Sequence, residues 1–153
     1  MLMNGWLAGA LILAVTFSAL SNAPAGAELS AQSTLQPDRV VAIYFHRTQR
    51  CPTCRLVERT IGEVLKRHFA QEFETGQLQW ASIDFQDPRN VQFARAYQVT
   101  MPELVLVLVR KNKVAEWQPL PRVFSLLAKP QELEQYVRDG VSDYLRKITS
   151  MQK

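Results

Sequence analysis

Two cysteines, the only ones among 153 residues, stand three positions apart in Arg50-Cys51-Pro52-Thr53-Cys54-Arg55. A thiol pair at this spacing can close a small disulfide ring and reopen it. Structural disulfides gain most when they join distant parts of a chain, because a long closed loop restricts the unfolded state more. A two-residue gap gives little of that restriction, so exchange chemistry is the expected use. The reacting species in exchange is the thiolate. Unpaired N–H groups at a helix start carry partial positive charge and stabilise one. Cys51 would attack a partner disulfide, and Cys54, one helical turn on, would resolve the mixed disulfide. His46 and Arg50 lie close enough in sequence to modulate Cys51, His46 by proton exchange and Arg50 by charge; a surface loop histidine is the plainer reading of His46.

Zinc is the other use of such a cysteine pair, and a closed site needs four ligands. Besides the cysteines the chain has only His46 and His68. On a continuous helix His68 would lie about 21 Å from Cys54 at 1.5 Å per residue. No metal site is expected. No Gly-rich phosphate-cradling loop is present either: beyond the first 27 residues glycine occurs only at positions 62, 76 and 140. No bound cofactor is therefore expected.

These cysteines need a strand–helix junction to hold them. Val40-Val41-Ala42-Ile43-Tyr44-Phe45 is a continuous apolar, β-rich run, as in a strand buried on both faces. After the polar loop His46–Arg50, Cys51 falls at an N-cap position and Pro52 in the first helical turn, where its missing N–H costs nothing. Val57, Ile61, Val64, Leu65 and Phe69 then recur at helical spacing, and the helix is expected to run to about Phe73, before Thr75-Gly76. A second strand is expected over 78–85 and a second helix from Asp87-Pro88. The apolar run 103–109 forms a third strand, and Lys111–Lys113 turns it back into a hairpin partner at 114–117. Pro119 and Pro121 bound a loop, Val123 to Leu127 is a short apolar piece expected to cover the core, with a docking patch at Val123, Phe124, Leu126 and Leu127 as the alternative, and a last helix opens at Pro130. The order is β-α-β-α-β-β-α, and the hairpin makes the sheet mixed.

Composition agrees with one globular domain: 47% hydrophobic, 21% charged. Residues 1–27 carry no charged side chain, and Trp6–Leu20 is almost wholly apolar before Ala25-Gly26-Ala27. This stretch reads as a signal peptide, or else as a membrane anchor that would tether the domain. Residues 28–38 read as a linker and 39–149 as the domain, exported and periplasmic. Outside the cytoplasm a thiol pair can persist as a disulfide. The formal net charge of +4 is ordinary, and its scattered basic residues point to no nucleic-acid partner.

Cys-x-x-Cys at the start of the first long helix, in this element order, resembles the thioredoxin superfamily. Tyr97-Gln98-Val99-Thr100-Met101-Pro102-Glu103-Leu104 is similar to the thioredoxin segment in which a proline opens the third strand. The resemblance covers about 39–149 and implies an α/β thioredoxin-like fold with a central mixed sheet. It implies that Pro102 is a cis-proline lining a substrate groove with Met101, Pro52 and Thr53, whereas residues alone suggest a trans, strand-opening proline. The buried Asp of thioredoxins is replaced here by Tyr44. At finer grain, residues 44–54 and Trp117…Leu120…Val123-Phe124 resemble exported proteins described as ArsF-type nitrophenyl compound nitroreductase subunits. The resemblance implies an exported thiol–disulfide oxidoreductase exchanging with protein thiols and disulfides, kept reduced by a membrane electron donor. The alternatives are a non-enzymatic thioredoxin-like subunit of a membrane or redox complex, and a subunit for nitroaromatic or organoarsenical handling.

Overall fold

The computed structural model describes residues 37–150. The expected leader, 1–27, and most of the expected linker lie outside those residues. Among the described residues no helix is long and apolar enough to cross a membrane.

Four strands form one sheet in the order β2-β1-β3-β4: β1 Arg39–His46, β2 Leu78–Asp84, β3 Glu103–Arg110 and β4 Lys113–Leu120. β1 and β2 run parallel, and β3 is antiparallel to both β1 and β4. The helices are α1 Pro52–His68, α2 Ala70–Glu74, α3 Val91–Ala96 and α4 Pro130–Ser150. This is the expected mixed sheet, in β-α-β-α-β-β-α order once the short α2 after α1 is set aside, and the chain has a thioredoxin-like α/β fold.

β1 and β3 are central, which is why their sequences are continuous apolar runs rather than alternating ones. Val40, Ala42 and Tyr44 of β1 pack with Leu104, Leu106 and Leu108 of β3 against α1 and α4. Ile43, Phe45, Val105 and Val107 face the other way, toward α3 and Trp117. Period-two alternation thus feeds two cores, one on each face of the sheet. The β3–β4 hairpin closes through Lys111 and Asn112, both at positive φ (48° and 61°), matching a two-residue turn whose twist suits the strands.

Three boundaries differ from the sequence reading. The first helix ends at His68: Phe69, at φ −130° and ψ 33°, leaves helical geometry, and its side chain is buried in the α1–α4 core. Only the short α2 continues to Glu74. The hairpin partner extends to Leu120, so Pro119 lies within β4, opposite Val105. A proline is tolerated there because β4 is an edge strand, with one side that needs no ladder hydrogen bonds. The apolar piece after β4 divides: Val123 and Leu126 are buried, whereas Phe124 and Leu127 are half-buried.

Candidate active site

The parallel strand β1 ends at His46, and four residues later the chain enters α1 with Cys51 as its N-cap, in extended geometry (φ −73°, ψ 158°). The N-cap side chain is the one that can reach the unpaired N–H groups of a first turn. Cys51 does so with sulfur: the Cys54 N–H donates to Cys51 Sγ at 3.1 Å, while the Arg55 N–H closes the turn onto the Cys51 carbonyl at 3.2 Å. Pro52 occupies the position whose N–H would otherwise be unpaired. Both cysteines are free thiols; Cys51 is exposed and Cys54 half-buried.

The two thiols are driven apart in acidity. Cys51 is lowered from the ordinary thiol value chiefly by the Cys54 thiol donating to it, with the N–H groups of Cys54 and Thr53 adding to the effect. Cys54 is raised, first by burial and then by the same hydrogen bond, which holds its proton in place. The outer sulfur is the better nucleophile and the inner one keeps its proton.

Both cysteines open onto a groove of about 480 Å³. Its apolar wall is Met101, Pro102, Pro121 and Phe124, with Arg47, Gln49 and Glu103 completing the lining. Met101 is 61% exposed. Met101 and Pro102 line the groove, whereas Pro52 and Thr53 are exposed and do not. Arg47, Gln49, Glu103 and Pro121 were not singled out from sequence, whereas Phe124 was, within an apolar piece expected as a core cover or a docking patch. Phe124 and Pro121 sit in a segment whose hydrophobicity reads equally as core, and Glu103 reads as the first residue of a strand. Glu103 is half-buried, and burial raises its carboxyl above the usual range.

Neither proposed modulator belongs to the groove lining. The Arg50 guanidinium pairs with Glu58 in the next turn of α1. His46 lies at the end of β1 opposite Asp84, its Nδ1 donating to the Arg47 carbonyl at 2.9 Å. His68 bonds Glu134 of α4 through Nε2 at 2.7 Å, far along α1 from the cysteines. Among the described residues no group of three or more His, Cys, Asp or Glu side chains could hold a metal ion. A second hollow, about 540 Å³ between β4 and α4, contains no cysteine or histidine.

Tyr44, noted from sequence only as the residue standing where thioredoxins have an acid, is fully buried. Its hydroxyl donates to the Cys54 carbonyl at 3.1 Å.

No protein-family model matches the chain, and neither does any curated protein. Solved structures do. A thioredoxin from Trypanosoma brucei brucei is 21% identical, the match covering 71% of this chain and 80% of that one, with a TM-score of 0.39. Mitochondrial thioredoxin 3 from Saccharomyces cerevisiae, in its oxidized form, is 17% identical over 69% of this chain and 83% of its own, TM-score 0.40. Thioredoxin O2 from Arabidopsis thaliana in the oxidized state is 15% identical over 63% and 76%, TM-score 0.38.

Proposed function

We propose that this chain is a thiol–disulfide oxidoreductase whose redox centre is Cys51-Pro52-Thr53-Cys54. The observation that carries the reading is the geometry of one helix start: an exposed Cys51 as N-cap, its sulfur accepting from the Cys54 N–H, and a half-buried Cys54 beside it on the same groove. An inert pair would need neither the exposed sulfur nor the groove beside it.

In the reducing direction the Cys51 thiolate attacks a partner disulfide. One partner sulfur leaves as a thiolate, and Cys51 is left in a mixed disulfide. Cys54 then loses its proton and attacks Cys51 Sγ. The Cys51–Cys54 bond forms, the bond to the partner breaks, and the second partner sulfur leaves with the electron pair. Two electrons pass from the dithiol to the partner. The reverse sequence oxidises a partner dithiol, and the reduction potential of the pair sets the direction. The apolar wall of Met101, Pro102, Pro121 and Phe124 suits an extended protein segment, so protein thiols and disulfides are the proposed partners.

The apolar, uncharged stretch 1–27 supports export to the periplasm, and a membrane donor would then keep the centre reduced. The finer assignment to the ArsF-type subunits rests on residues 44–54 and 117–124; turnover of a nitroaromatic compound by the purified protein is its test. The exchange reading is tested by Cys54→Ser, whose reduced form should accumulate a mixed disulfide with a disulfide-bonded substrate protein on a non-reducing gel. A Cys51→Ser, Cys54→Ser double variant that still reduces a model disulfide would defeat the reading. Wild-type Cys51 of ordinary thiol reactivity would favour a non-enzymatic docking subunit instead.

A further inference from the structure

Cys54 faces a difficulty that Cys51 does not. Its sulfur can attack only after the thiol loses a proton, and burial and the hydrogen bond to Cys51 both resist that loss. The buried polar group bonded to this turn is Tyr44, on the face of the sheet that packs against α1 and α4. Its hydroxyl donates to the Cys54 carbonyl at 3.1 Å. Its ring lies 6.5 Å from that of Phe124, which lines the groove. One side chain thus joins the central strand, the reactive turn and the groove wall. A neutral phenol is a weak base, and burial pushes the Tyr44 hydroxyl well above its usual value, the nearby Cys54 adding to this. Tyr44 can hold the turn, but it cannot take the Cys54 proton.

We propose that Tyr44 is the positioning residue of the resolving step: its hydroxyl pins the first turn of α1 through the Cys54 carbonyl, and Cys54 gives its proton to solvent rather than to a buried base. The proposal rests on the exchange reading above. In the mixed disulfide, water or hydroxide removes the Cys54 proton. The Cys54–Cys51 sulfur bond forms as the Cys51–partner bond breaks, and the departing partner thiolate is protonated by solvent. The other titratable groups around the groove are Arg47, Cys51 and Glu103, with the Arg50–Glu58 pair behind them. Two carboxylates could compete as proton acceptors: Glu58, already paired with Arg50, and Glu103. Glu103 is the register partner of Phe45, and alternation along β3 sets it on the Phe45 side of the sheet, away from Tyr44.

The aromatic disulfide dithionitrobenzoate separates the two steps, because each exchange releases one coloured thiolate. The first release reports attack by Cys51 and the second resolution by Cys54. In Tyr44→Phe the second phase should slow about fivefold, the rate equivalent of one hydrogen bond, while the first phase keeps its rate. In the wild type the second phase should climb about tenfold per pH unit through neutrality, following the Cys54 thiolate. Slowing of both phases alike in Tyr44→Phe, or of neither, would overturn the proposal. So would a neutral-pH inflection in the wild-type second phase that Glu103→Gln removes; that measurement stands even if Tyr44→Phe fails to fold. Should the wild type give no second release at all, the exchange reading itself fails, and the two failures are told apart.

Discussion

At its C-terminal end α1 finishes in Lys66, Arg67 and His68; at its N-terminal end it begins with Cys51 and has no acidic residue in the first turn. The C-terminal end is tied down several times. Arg67 and His68 both reach Glu134 of α4, at 3.2 and 2.7 Å. Phe69 turns into the core and returns its N–H to the Leu65 carbonyl at 3.0 Å. Cations here also oppose the negative end of the helix dipole. The N-terminal end is held by the Tyr44 hydroxyl and the Arg50–Glu58 pair, and its Cys54 N–H faces a sulfur. An Asp or Glu in that turn would stabilise the helix better, but its negative charge would cancel the field that favours a thiolate. One helix therefore spends its dipole on stability at one end and on acidity at the other.

The contrast is open to direct attack. The largest expected effect is Cys51→Ser: the rate of disulfide exchange should fall on the order of a thousandfold, as when a nucleophile is removed, with melting of the reduced protein little changed. A comparable loss of fold stability would mean that Cys51 is structural after all. Midway along the helix, fully buried Ile61 belongs to neither end. Ile61→Ala should cost about 3 kcal/mol in a denaturant titration, while leaving the order of reactivity of the two thiols intact.

Acidity tests the reactive end more finely. Alkylation follows the thiolate, which is present above a thiol's pKa and lost as pH falls through it. With Cys51 lowered and Cys54 raised, iodoacetamide at neutral pH should label Cys51 first. The Cys51 inflection should lie on the acid side of an ordinary thiol and that of Cys54 on the alkaline side. Mass spectrometry after brief labelling reads the order, and Cys54 labelled first would reverse the assignment of roles. The smallest effect is at the far end. Glu134→Gln removes a partly exposed pair of contacts and should cost about 0.5 kcal/mol, or ~2 °C in the melting temperature, without moving the Cys51 inflection.

Much of this was legible in the chain itself. The cysteine spacing, the proline after Cys51 and the apolar repeat from Val57 place the cysteine pair at a helix start using local rules alone. The unbroken runs 40–45 and 103–109 mark the central strands, because only strands covered on both faces can be apolar throughout. The extent of β4 was not legible. Pro119 is a local stop signal, overridden because edge position is a property of the sheet order and not of the neighbouring residues. The helix break at Phe69 was hidden for a related reason: its apolar side chain continues the helical period, yet packing draws it inward.

The types and spacing of Cys51, Pro52 and Cys54 were determined by sequence, and so was the order of elements around them, since helix starts, turns and burial periods are short-range. The tertiary structure alone decided that Phe124 and Pro121, some seventy residues further on, form the wall beside the cysteines. It also decided that the Tyr44 hydroxyl bonds the Cys54 carbonyl. Those contacts depend on where the sheet presents its residues against α1, a distance in space that no spacing along the chain encodes.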